Sequence, residues 1–101
     1  MNQAGVSMTE QGVLRLTGVL DYRSGPALRK QGAVLIAACK GPQVVLDCSA
    51  VSHSSSVGLS LLLGFLRDIT GAGKFCELRG LPQHMREIAE VYDLDQVLAD
   101  F

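Results

Sequence analysis

Between Val44 and Ile69 the chain passes from a short β-branched run to a helical repeat, with only a polar stretch between them. Leu59, Leu62, Leu63, Leu66 and Ile69 fall at i, i+3, i+4, i+7 and i+10, which places them on one face of a helix closed by Gly71 and Gly73. Upstream, Gln43–Leu46 reads as a strand with apolar residues on both faces, typical of the centre of a sheet. Cys48–Ser55 reads as a polar loop, and one of Ser54, Ser55 or Ser56 is placed to cap the helix. Gly58, in the first turn, keeps the surface low so that another group can approach closely.

The flanking segments extend this unit. Val6–Thr9, the turn Glu10-Gln11-Gly12 and the alternating Val13–Thr17 predict a β-hairpin. After a connection over Gly18–Tyr22, Ser24 as N-cap and Pro26 in the first turn predict a helix. Ala27, Leu28, Val34, Leu35 and Ala38 form its apolar face, Gly32 weakens its middle, and Gly41-Pro42 ends it. Lys74–Arg79 predicts a strand with Phe75, Cys76 and Leu78 in the core. Pro82 opens a helix with Met85, Ile88, Ala89 and Tyr92 on one face, and Leu94, Val97, Leu98 and Phe101 belong to a short terminal helix or turn. The order is β-β-α-β-α-β-α plus that terminal piece, an α/β fold with a mixed sheet packed against helices, in a single domain over 1–101.

Composition narrows the function classes. With 101 residues, 48% of them hydrophobic and 19% charged, the chain can bury one core. The net charge of −1 and the lack of a basic run give no footprint for nucleic acid or for a polybasic membrane patch. Met1–Glu10 lacks the features of a signal peptide, and apolar runs such as Leu61–Leu63 fall far short of the roughly 20 residues of a membrane helix. Cys39, Cys48 and Cys76, odd in number and scattered, fit reduced thiols in a cytosol.

Catalytic patterns are weak. His53 lies among serines, but loop neighbours seldom hold triad geometry and no third group is indicated. Gly58-Leu59-Ser60-Leu61-Leu62 has only the first half of a nucleophile elbow. His84 stands alone on its helix, the cysteines lack metal-ligand spacing with either histidine, and no Walker-type loop occurs. Asp47, at a strand end, reads as a partner for the N–H groups of the following loop. No catalytic, cofactor or metal residue is therefore assigned.

The segment Val45-Leu46-Asp47-Cys48-Ser49, followed by Ser55-Ser56-Val57-Gly58-Leu59 and further leucines, resembles the signature of STAS domains. These occur in anti-sigma factor antagonists and in transporter accessory subunits. Leu16-Thr17-Gly18-Val19-Leu20-Asp21 resembles the family's opening strand, and Tyr92-Asp93-Leu94 a motif near its end, so the likeness runs from Val6 to Leu98. The resemblance implies a STAS fold and places the family's phosphorylatable or contact hydroxyl at Ser56. The acid that the family usually places before that hydroxyl is Ser55 here.

Among STAS proteins the free-standing domain, the leucine-rich helix and the Tyr92-Asp93-Leu94 ending look most like the MlaB-like subunits of phospholipid-transport systems. That resemblance implies a non-enzymatic protein, cytoplasmic and peripheral to the inner membrane. Its partner would be the ATPase (MlaF-like) of an ABC transporter that also contains a membrane permease and maintains lipid asymmetry in a Gram-negative envelope. The alternative is a phosphoswitch at Ser56 of the anti-sigma antagonist type. On spacing, Val57, Leu61 and Phe65 form a second apolar stripe, read either as part of a docking surface with Ser55, Ser56 and Gly58 or as core covered by the last helix.

Overall fold

The computed structural model describes residues 4–101, so the first three residues of the expected domain lie outside it. It begins with the expected hairpin, β1 (Gly5–Met8) and β2 (Val13–Leu20), reversing at Gly12 with φ 84°. There follow α1 (Gly25–Ala38), β3 (Gln43–Ser54), α2 (Ser56–Gly71), β4 (Phe75–Arg79), α3 (Gln83–Val91) and the short α4 (Asp95–Ala99). The sheet order is β1-β2-β3-β4. β1 is antiparallel to β2, whereas β3 runs parallel to both β2 and β4, which gives the mixed sheet.

The core lies between the inner strands and the leucine helix. Leu14, Leu16 and Leu20 of β2 and Val44, Leu46 and Cys48 of β3 meet Leu59, Leu62, Leu66 and Ile69 of α2, all buried. The period in the sequence thus assigned the principal face of α2 correctly.

Two strands are longer than their patterns indicate. β2 continues through Gly18 to Leu20, and β3 runs on to Ser54 where a polar loop was expected from Cys48 to Ser55. The register explains why: Arg15 pairs with Asp47 but Thr17 with Ala50, and Gly18 pairs with Val51 but Val19 with His53. At each shift β3 advances one residue more than β2. Each bulge resets the alternation of side chains, so buried Asp47, Cys48, Val51 and Ser54 follow no simple period of two.

α1 also buries a different stripe from the expected one. Gly25, Leu28, Gly32 and Ile36 face inward, while Val34 is 65% exposed, Ala27 and Ala38 are exposed, and Leu35 is half-buried. Gly32 is the reason. A Cβ there would strike the ring of Phe65, so the glycine is the notch in which that ring lies. Phe75, expected in the core, is exposed on edge strand β4, and Tyr92, expected on one helix face with Met85, Ile88 and Ala89, is exposed at the C-terminal cap of α3.

Candidate functional site

The site begins where β3 gives way to α2. Asp47 is 5% exposed, and its carboxylate accepts the Ser49 N–H at 3.0 Å and faces Arg15 Nε at 3.6 Å. Burial alone would raise its pKa; the hydrogen bonds from Ser49 and the charges of Arg15 and Arg79 outweigh it and hold the carboxyl below its ordinary value. Asp47 therefore pins the first bulge of β3 by bonding the N–H two residues on, as expected, but from within the strand and not from its end.

Seven residues on, Ser54 is buried and its hydroxyl donates to the Ser55 carbonyl at 2.8 Å. Ser55 is the N-cap of α2, its hydroxyl accepting the Val57 N–H at 3.2 Å. With the capping role filled by Ser55, Ser56 stands exposed in the first turn beside Val57, which is 36% exposed. Gly58 is buried: a Cβ there would strike the Ser54 hydroxyl and lie 2.9 Å from Leu20 Cβ. The close approach expected at Gly58 is thus made by the protein's own sheet.

The rest of the expected docking surface is corrected by burial. Leu61 is 5% exposed and Phe65 fully buried. They are covered because α1, not the terminal helix, packs along this side of α2, with the Phe65 ring in the Gly32 notch and Arg29 bridging to Asp68 through two bonds of 2.9 Å. The structure brings Ser55, Ser56 and Val57 together at the surface and withdraws Gly58, Leu61 and Phe65 from it.

A different wall completes the surface. A groove of about 250 Å³ runs beside Ser56 and Val57, bounded by Ser60 and Leu63 of α2 and by Tyr92 and Leu94 of the α3–α4 turn. Tyr92 is 58% exposed there. Sequence reasoning missed Ser60, Leu63 and Leu94 as groove residues and placed Tyr92 on one helix face with Met85, Ile88 and Ala89. The available signal was the i, i+4, i+7 spacing of Ser56, Ser60 and Leu63, a row whose last member also belongs to the apolar repeat of α2 and packs half-buried against the core.

The Asp21–Ser24 turn, which leads into α1, is held by local bonds. Ser24 occupies the N-cap position of α1, but its hydroxyl donates to the Val19 carbonyl at 3.0 Å and does not cap the helix. The Asp21 carboxylate accepts the Arg23 and Ser24 N–H groups. The Arg23 N–H bond is the main cause of a pKa below the usual carboxylate value.

The remaining chemistry-bearing side chains do not converge on this groove. His53 lies at the end of β3 with its ring stacked on His84, centroids 5.6 Å apart. Among the described residues no group of three or more His, Cys, Asp or Glu side chains is placed to hold a metal ion. Cys48 is buried and its thiol is pushed up to about 12, chiefly by burial and then by the Asp47 charge; burial and the Glu77 charge push Cys76 to about 11. Among the described residues no helix is long and apolar enough to cross a membrane.

The comparisons with known proteins agree with the fold that carries this groove. The solved anti-sigma factor antagonist SpoIIAA in its unphosphorylated form is similar at 17% identity and a TM-score of 0.70, over 93% of this chain and 84% of that one. An anti-sigma factor antagonist from Mycobacterium paratuberculosis is similar at 26% identity and a TM-score of 0.67, over 96% and 82%. The Bacillus cell fate determinant SpoIIAA in its phosphorylated form is similar at 18% identity and a TM-score of 0.65, over 93% and 86%. A family model described as "Mlab, STAS domain" matches residues 4–99, nearly the whole of the sheet and helices just described. The chain belongs to the STAS domain family.

Proposed function

We propose that this protein is a non-enzymatic accessory subunit that docks on the cytoplasmic ATPase of an ABC transporter moving phospholipids between the membranes of a Gram-negative envelope. The ATPase hydrolyses ATP, the permease holds the complex at the inner membrane, and this chain supports the ATPase through protein contact. The observation that carries the reading is the exposed Ser56–Val57 pair at the mouth of α2, beside the groove walled by Tyr92 and Leu94. The "Mlab" description of the matching family model supports the choice of a transport partner.

Co-purification tests it. The Ser56→Asp variant, altered at an exposed position, keeps its fold but places a charge where the partner makes apolar contact, so the co-expressed ATPase subunit is expected to be lost. Retention of the ATPase at the wild-type level by a folded variant refutes the reading.

A second reading is a phosphoswitch, favoured by the exposure of the Ser56 hydroxyl in the first turn of α2. A phosphate there meets the positive end of the helix while obstructing apolar contact. Stoichiometric phosphoserine at this position in protein from its native cell supports the switch, and unmodified Ser56 in both free and bound pools contradicts it.

A further inference from the structure

β4 forms one edge of the sheet, with β3 on one side and, among the described residues, no strand on the other. In a parallel pair alternate residues turn their backbone groups toward the neighbouring strand. The Phe75 N–H donates to the Pro42 carbonyl at 2.9 Å, so Phe75, Glu77 and Arg79 direct theirs at β3. Those of Cys76 and Leu78 therefore point outward, along the free edge. Unpaired edge groups are a template for another strand unless something covers them.

Leu78 is covered by the segment that follows α4. Its N–H donates to the Phe101 carbonyl at 3.0 Å. Leu98, which is buried, and the half-buried Phe101 pack on the core and carry the segment to the edge. The hold is limited. α4 is five residues long, and a hollow of about 290 Å³ remains among Leu78, Leu81, Ala89, Leu98 and Phe101. A segment with few buried contacts opens at lower cost than the core does.

The charges beside Leu78 say what an opened edge receives. In an antiparallel pair with its two-fold axis at Leu78, the two Leu78 residues exchange both backbone bonds. Glu77 then faces Arg79 of the second copy, and Arg79 faces its Glu77. Within one chain these side chains already lie 3.0 Å apart, so pairing exchanges the internal ion pair of each copy for a crossed one. Shifting the axis to Glu77 sets like charges directly opposite each other, which is destabilising. We infer that residues 95–101 guard the edge of β4. Docked, they keep the chain from pairing with itself; displaced, they let a second copy join through Leu78. The Phe101 carbonyl and the second copy compete for the same N–H. The inference does not depend on the docking reading at Ser56.

The test uses the full chain carrying Phe101→Ser, which removes the apolar anchor. In dilute protein the Leu78 amide is expected to exchange faster, while the amides of Leu14 and Leu46 keep their protection. In sedimentation the variant is expected to self-associate at about a tenfold lower concentration than wild type, since association scales with the fraction of open chains. Adding Glu77→Arg, which sets like charges across the pair, is expected to reverse that gain. Should Leu14 and Leu46 lose protection as well, the milder Phe101→Leu takes the place of Phe101→Ser. An unchanged Leu78 amide overturns the guard. Faster exchange without self-association overturns the second copy as occupant, and self-association that Glu77→Arg leaves unchanged overturns pairing through β4.

Discussion

Ser55 accepts the Val57 N–H at 3.2 Å, while the hydroxyl next along the chain belongs to an exposed residue, Ser56. Replacing Ser55 by Ala removes the cap and is expected to lower unfolding stability in urea by about 1 kcal/mol. Ser56→Ala is expected to stay within about 0.5 kcal/mol of wild type, as surface changes do. A reversal of that order contradicts the assignment. The three adjacent serines were visible as cap candidates in the sequence, yet the choice among them depends on where β3 ends, and the two bulges set that point. Asp47 supplies a pH signature. Its folded pKa is lowered, so its contribution is present above the unfolded value of about 4 and is lost as pH falls through the folded value. In Asp47→Asn the acid limb of a stability-against-pH curve is expected to flatten; a limb identical to wild type removes Asp47 as its source.

At the level of elements, two glycines govern how the helices lie. A Cβ at Gly58 would strike the Ser54 hydroxyl and lie 2.9 Å from the Cβ of Leu20, the last residue of β2, an atom fixed to the backbone. Gly58→Ala is therefore expected to destabilise the protein by about 2 kcal/mol or more. At Gly32 the obstacle is the Phe65 ring, which a smaller side chain removes. Gly32→Ala is expected to cost about 2 kcal/mol alone and less in a Phe65→Leu background. Additive losses in that double-mutant cycle contradict the notch. These positions explain where the sequence was legible. The core stripe of α2 needed only periodicity, because its leucines are large and regularly placed. α1 was misread because two of its four buried positions are glycines, which carry no apolar signal. The second stripe of α2 was visible, but whether α1 or the exterior lay over Leu61 and Phe65 is a long-range fact. The groove wall at Tyr92 and Leu94 was hidden for the same reason.

For the molecule as a whole, the mixed four-stranded sheet and the order of elements followed from pattern alone, because each segment's period and turn residues agreed with its neighbours. The folded state also controls its thiols. Cys48 is fully buried with its pKa pushed up to about 12, so a thiol reagent at pH 8 is expected to leave it untouched until global unfolding, and to modify it fully in urea. Rapid native labelling of Cys48 contradicts the core placement. The proposed docking face, by contrast, surrounds the start of α2, while the Glu10–Gly12 turn and the Gly41-Pro42 segment border a separate hollow. Amide hydrogen exchange of the protein with and without the proposed ATPase partner separates the two regions most directly. Slowed exchange over residues 56–63 and 92–98, with the Glu10–Gly12 region unchanged, is the expected result. Protection confined to the Glu10–Gly12 and Gly41 end, with the start of α2 exchanging as in the free protein, contradicts a docking surface built around Ser56.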